Sequence, residues 1–293
     1  MSTTDKASPS AVAPSALQAT PSTSRFVEVA GLKLHYLDYG SAGRPPLVCL
    51  HGGAAHAHWY DFVASAFTPE HRVLAFDGRG HGDSAWSVPP DYTYERFAAD
   101  LAEAAEKLDL RDFTLVGHSV GGVVSLLYAA KYSGRVRRLI IIDSNLTTSS
   151  ERVAAFRKMA LRPADTYASR EELITSYKIN PNETTASPEV IRHLASHDAR
   201  QIADGRWQQK FDRNFYSDRE WNHGFDCWND VKIPVLLIKA DLSARITPEI
   251  IAEVKARCPQ VRITTVPDSN HHVMLDNPDA FVGAIREFIE ATR

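Results

Sequence analysis

The stretch Arg111 to Gly122, RDFTLVGHSVGG, decides how the rest of the chain is read. Phe113 to Val116 is a short apolar, β-branched run with the pattern of a buried strand, and Val120 to Lys131 reads as a helix dense in small apolar residues. Between them Gly117-His118-Ser119-Val120-Gly121 fits G-x-S-x-G, the pattern of a serine held on a sharp strand-to-helix turn. The glycines answer a steric demand, because a strained turn that brings strand and helix close leaves no room for side chains at Gly117, Gly121 and Gly122. Ser119 Oγ then stands free at the strand's C-terminal end. The positive end of the helix that follows favours negative charge developing there.

Length and composition set bounds on what surrounds this turn. A chain of 293 residues with 44% apolar content can bury a large core, as one α/β domain or as a core with an inserted subdomain. A net charge of -3 gives no sign of a nucleic-acid or membrane-surface partner. Cys49, Cys227 and Cys258 are too few and too scattered for a disulfide framework or a zinc site, and Cys49 lies inside an apolar run. No apolar run approaches the roughly 20 residues of a membrane span, so a cytoplasmic, reducing setting is expected.

Along the chain, residues 1–24 are rich in Ser, Thr, Ala and Pro, contain no aromatic residue and read as a disordered tail without a signal-peptide core. Residues 26–29 and 32–36 alternate around Ala30-Gly31, which predicts an antiparallel hairpin. Pro46 to Leu50 is an unbroken apolar run of the kind buried on both faces of a parallel sheet, and Arg72 to Phe76 and Arg135 to Ile142, the latter ending in RRLIII, read as further buried strands. Between the last two, Tyr92 to Leu108 has helical spacing, with Asp91 or Thr93 placed to cap it. The loop Asp77 to Ser84 is read as structural, its Asp77 and Arg79 pairing with each other or with backbone. Strand and helix alternate repeatedly, which predicts a doubly wound, mostly parallel α/β sheet with its site at the C-terminal strand ends.

The rhythm stops between about 146 and 230. That segment reads as polar amphipathic helices without strand-like runs, and its second half is aromatic, with Trp207, Phe211, Phe215, Tyr216, Trp221, Phe225 and Trp228. It is expected to form a helical cap over a core made of residues 25–145 and 231–293. Ala54, Trp207, Phe211, Tyr216 and Trp221 are the candidates for a substrate pocket, which the aromatics would make apolar or suited to a ring. The sheet pattern resumes at Pro234 to Ile238 and at Val261 to Val266. The loop from Asp268 to Pro278 then carries two adjacent histidines, His271 and His272.

Taken together, His51-Gly52-Gly53, the glycine-rich loop Asp77 to Ser84, Gly117 to Gly122 and His271, seven residues before Pro278, resemble the α/β-hydrolase superfamily. Four motifs in the right order, each at a strand end, are far more specific than any one alone. The resemblance implies Ser119 as nucleophile, His271 as base, and the N–H groups of Gly53 and Val120 as an oxyanion hole, with no metal or organic cofactor. Asn270 stands where the family's glycine is usual, a change that asparagine's tolerance of left-handed backbone accommodates.

The acid departs from the pattern. The family's usual G-x-x-D after the strand at 236–238 reads Ala240-Asp241-Leu242-Ser243, so a serine occupies the acid's place. Asp143, at the end of the strand beside the elbow, is the candidate substitute, and Asp241 is the alternative. The implied reaction is acyl transfer to water from a small carboxylic ester or lactone through an acyl-enzyme on Ser119. Hydrolysis of a C–C bond in a vinylogous diketone would use the same residues. A non-catalytic ligand receptor on the same fold is the alternative from a different class.

Overall fold

The computed structural model describes residues 18–144, 146–147, 149–218 and 225–293. In chain order it forms β1 (Thr23–Val29), β2 (Leu32–Asp38), β3 (Pro46–Leu50), β4 (Arg72–Phe76), α1 (Tyr94–Lys107), β5 (Phe113–His118), α2 (Val120–Lys131) and β6 (Val136–Ile142). Then come α3 (Ser150–Ala160), α4 (Arg170–Ser176), α5 (Pro188–Asp198), β7 (Ala199–Gln201) and β8 (Trp207–Gln209). β9 (Val235–Ala240), α6 (Pro248–Arg257), β10 (Val261–Val266), α7 (Val273–Asp276) and α8 (Pro278–Glu290) complete the described chain.

Eight strands make one sheet in the order β1-β2-β4-β3-β5-β6-β9-β10. β1 and β2 pair antiparallel, as does β2 with β4, and every other pair is parallel. The Ala30-Gly31 turn has positive φ at both positions, 47° and 75°, which matches the twist of a two-residue hairpin. β1 starts at Thr23, and the Thr20 N–H donates to Asp61 O at 2.7 Å, so ordered chain begins before the expected tail ends at residue 24. Residues 1–17 lie outside the described residues.

The central strands are apolar on both faces because both faces are covered. On β5, Leu115 belongs to the core layer that contains α1 and α2, and Val116 belongs to the opposite layer with α8. Thr93 caps α1 by accepting from the Arg96 N–H at 3.3 Å, a cap worth roughly 0.5–2 kcal/mol. The loop after β4 is fixed from inside. Asp77 accepts from the N–H groups of Ala57 and Asp83 and from His35 Nδ1. Arg79 makes a bidentate pair with Asp100 of α1 at 2.6 and 2.7 Å, so the two residues bind different partners rather than each other.

Between β6 and β9 the described chain carries the helices α3, α4 and α5, but not helices alone. β7 and β8 form a small antiparallel pair, Ala199 opposite Gln209 and Gln201 opposite Trp207. This corrects the reading of residues 146–230 as helical without strands. Two three-residue strands joined by a short turn are too brief to leave a period-two signature.

Candidate active site

Ser119 sits between β5 and α2 with φ 54° and ψ -115°, a conformation that costs of order 1–3 kcal/mol for a non-glycine residue and persists only where its surroundings enforce it. Here the Ser119 N–H donates to Ile142 O at 2.9 Å, and Ser119 O accepts from Gly122 and Val123. A Cβ on Gly121 would lie 2.5 Å from Leu50 O and 2.6 Å from His51 O, and one on Gly117 would also come within 3.0 Å of backbone. The glycines therefore let α2 approach β3 and β5, as the sequence predicts. Ser119 Oγ makes no hydrogen bond to a described residue, and it lines a cavity of about 220 Å³.

The loop after β3 runs beside that serine. The Gly78 N–H donates to His51 Nε2 at 2.9 Å, so the His51 proton is on Nδ1, which donates to Gly52 O at 2.6 Å. Burial lowers the pKa of His51, which keeps this neutral arrangement in place. Gly53 and Val120 both line the cavity with Ser119. Neither backbone N–H donates to a protein acceptor among the described residues. Two uncommitted donors beside an uncommitted hydroxyl are what a developing oxyanion requires.

His271 and Asp143 come together from different strand ends. His271 Nδ1 lies 2.8 Å from Asp143 Oδ2. Asp143 follows β6 with φ 40°, a left-handed conformation that aspartate tolerates, and its N–H donates to Ile238 O on the neighbouring strand. Its carboxylate is fully buried and accepts from Ser243 Oγ at 2.7 Å and, at 3.3 Å, from the Ala240 N–H. Burial pushes the Asp143 carboxyl up, opposed by these hydrogen bonds. Asp241 is exposed and makes no side-chain hydrogen bond among the described residues.

Two further contacts surround His271. His118, at the elbow, donates from Nε2 to His271 O at 2.8 Å and so ties the histidine loop to the turn that carries Ser119. Arg245 Nε lies 2.8 Å from His271 Nδ1 and 3.8 Å from Asp143 Oδ2. Burial first, then the positive charge of Arg245, lowers the His271 pKa well below that of a free imidazole. The neighbouring His272 has a separate task, donating from Nε2 to Pro181 O at 2.7 Å. The positive φ in this loop is at Asp268, 53°, and not at Asn270, whose N–H donates to Asp276 Oδ2.

Of the residues expected to line the pocket, Tyr216 does so. Phe211 instead packs against His81 with ring centroids 4.9 Å apart, Trp207 lies in β8 opposite Tyr167, and Ala54 faces the core layer of α1 and α2. Phe211 is displaced because it packs on the loop after β4, and Trp207 because its strand pairs within the inserted segment. Trp221 lies outside the described residues. The lining also includes Tyr94, Arg152, Phe156, Met159, Asn180 and Arg245. Ser119, His271, Gly53 and Val120 share this one cavity, and no hydrogen bond joins Ser119 to His271.

A model of the α/β-hydrolase fold matches residues 45–278. The chain belongs to the α/β-hydrolase fold family. The sn-1-specific diacylglycerol lipase ABHD11 of Mus musculus is 29% identical over 276 residues, covering 88% of this chain and 85% of its own. An esterase of Mycobacterium tuberculosis is 26% identical over 260 residues, covering 86% of this chain and 84% of its own. The solved structure of E-2-(acetamidomethylene)succinate hydrolase superposes with a TM-score of 0.81 at 22% identity, over 92% of this chain and 100% of that one, and carries the fold alone.

Within this α/β-hydrolase, the lining residues that sequence reading missed divide into two groups. Arg152, Phe156 and Met159 of α3 are spaced four and three apart, so a helical wheel places them on one face, a signal that was available. Arg245, Tyr94 and Asn180 come from three separate segments and carry no local pattern. Only the packing of those segments brings them to Ser119.

Proposed function

We propose that this chain is a serine hydrolase that cleaves a small carboxylic ester or lactone through an acyl-enzyme on Ser119. The observation that carries the proposal is a strained serine with a free hydroxyl sharing a cavity with a histidine whose Nδ1 is 2.8 Å from a buried aspartate. In this reading His271 Nε2 takes the proton of Ser119 as Oγ attacks the carbonyl carbon, and the N–H groups of Gly53 and Val120 hold the resulting oxyanion. Asp143 keeps the His271 proton on Nδ1 and stabilises the imidazolium. The alcohol leaves with the proton from Nε2, and a water then repeats the sequence on the acyl-enzyme. The segment 146–230 acts as the cap that closes the cavity, and the three buried free thiols fit a reducing, cytoplasmic setting.

Arg245 adds a condition. The Nδ1 atom of His271 holds either a proton or a lone pair, so it cannot donate to Asp143 and accept from Arg245 at the same time. The base is competent only when Arg245 turns away. Arg152 and Arg245 line the cavity, and the described lining contains no acidic residue, which favours an acyl substrate that bears a negative charge. Such a group would draw Arg245 off His271 as it binds. The aromatic side chains Phe156 and Tyr216, stacked with centroids 5.8 Å apart, supply the apolar wall.

The test is a panel. Purified protein is labelled with a fluorophosphonate and assayed on neutral p-nitrophenyl esters, on p-nitrophenyl hemisuccinate, on lactones and on a ring-cleavage dienone. Labelling lost in Ser119→Ala, with turnover of esters and a preference for the hemisuccinate, is the expected outcome. Turnover of the dienone alone overturns the ester reading. Ligand affinity without wild-type turnover on any member favours a receptor.

A further inference from the structure

Away from Ser119, four side chains that the proposed reaction does not use converge where the insertion meets the core. His58 belongs to the 3-10 turn Ala57–Tyr60, which follows the His51-Gly52-Gly53 loop, and Asp61 directly follows that turn. His193 and His197 are one helical turn apart on α5, so both point from the same face. The potential ligand atoms of these four residues all lie within 4.8 Å of one another. None of the four lines the cavity of Ser119.

Hydrogen bonding explains only part of this cluster. Asp61 Oδ2 accepts from His193 Nε2 at 2.7 Å and from His58 Nδ1 at 2.9 Å, and its Oδ1 accepts from Tyr39 at 2.6 Å. His197 makes no hydrogen bond among the described residues, yet its ring lies against His58 with centroids 3.6 Å apart and against His193 at 4.7 Å. Three imidazoles thus pack around one recessed carboxylate, and one of them, His197, is held there, among the described residues, by ring contacts alone. A single divalent cation accounts for the gathering, because it takes three neutral nitrogens and one carboxylate oxygen.

We propose that His58, Asp61, His193 and His197 form a binding site for one divalent cation of the zinc class, which fastens α5 to the core. Three imidazoles and one carboxylate suit zinc and its first-row neighbours, whereas calcium and magnesium prefer all-oxygen sets. A tetrahedral ion with bonds of about 2.0–2.1 Å needs its ligand atoms roughly 3.3 Å apart. The separations run from 2.7 Å, between Asp61 Oδ2 and His193 Nε2, to at most 4.8 Å, so the close pairs open and the distant ones close by up to about 1.5 Å, within the reach of side-chain rotation. The Asp61 side chain is 4% exposed, and those of His58 and His193 are 15% and 25% exposed, so the carboxylate is recessed beneath partly exposed imidazoles. Tyr39 holds the second carboxylate oxygen, as outer partners of metal ligands do. The role is structural, since α5 lies in the segment between β6 and β9 while the 3-10 turn lies in the core.

The full chain, treated with chelator and dialysed, is titrated with Zn²⁺ by calorimetry and with Co²⁺ by visible absorption. One equivalent is expected to bind, with the d–d bands of four-coordinate Co²⁺ and a melting temperature that rises with zinc concentration. His193→Gln/His197→Gln should weaken binding at least tenfold and abolish the thermal shift. His58→Gln, which leaves α5 untouched, should weaken it as well, and unchanged affinity in that folded variant would overturn the link between α5 and the core. The proposal is overturned if the wild type shows no saturable zinc binding, or if the folded double variant binds zinc with unchanged affinity and stoichiometry.

Discussion

Ser243 Oγ donates to Asp143 Oδ2 at 2.7 Å, joining the position where the family's acid is usual to the aspartate one strand away. The hydroxyl cannot stabilise an imidazolium itself, but it holds the carboxylate that can. Because Asp143 also accepts from the Ala240 N–H and faces His271 Nδ1, Asp143→Asn should lower kcat by roughly 10²–10⁴. Asp241→Asn, at an exposed position, should stay within about twofold of wild type. Steady-state kinetics on one ester checks both, and the reverse pattern would move the acid to Asp241.

Ser243→Ala removes one donor to the buried carboxylate without removing its charge. The net worth of a hydrogen bond to a charged group is about 1.5–3 kcal/mol, so kcat should fall roughly ten- to a hundredfold with little change in KM. Ser243→Thr, which retains a hydroxyl, should recover most of the loss.

Burial and Arg245 together should shape the pH dependence. As the proposed base, His271 would act only when neutral, and burial followed by the nearby guanidinium lowers its pKa, so activity should be retained at pH 6.5 and lost as pH falls through the depressed value. In Arg245→Met the charge is gone, and the acid limb of kcat/KM should move to higher pH, with burial still holding it below that of a free imidazole. The same variant should lose the preference for the hemisuccinate over a neutral ester. An acid limb that stays in place would show that Arg245 does not act on His271.

Gly121→Ala should be costly for a reason unrelated to chemistry. Its Cβ would meet the carbonyl oxygens of Leu50 and His51 at 2.5 and 2.6 Å, and backbone at a strand end has little freedom to yield. A loss of about 2–3 kcal/mol in urea unfolding is expected. Gly134→Ala, where an added Cβ meets nothing within 4 Å, is the matched control.

The sequence by itself determined the layered α/β sheet, because strands buried on both faces read as unbroken apolar runs and the elbow's glycines record a contact between a strand and the helix that follows it. It also marked Ser119, His271, Gly53 and Val120 as candidates, since each lies in a local motif at a strand end. Phe211 and Trp207 show where that reading stops, for an aromatic side chain carries the same signal whether it lines a cavity or fills a seam. Only the tertiary structure decided that Asp143, not Asp241, faces His271, and that Arg245 lies against the same nitrogen. Those relations join residues 128 and 26 positions apart, across strand ends whose register no local pattern encodes. The gathering of His58, Asp61, His193 and His197 is of the same kind, set by how an inserted helix packs on the core rather than by any run of residues.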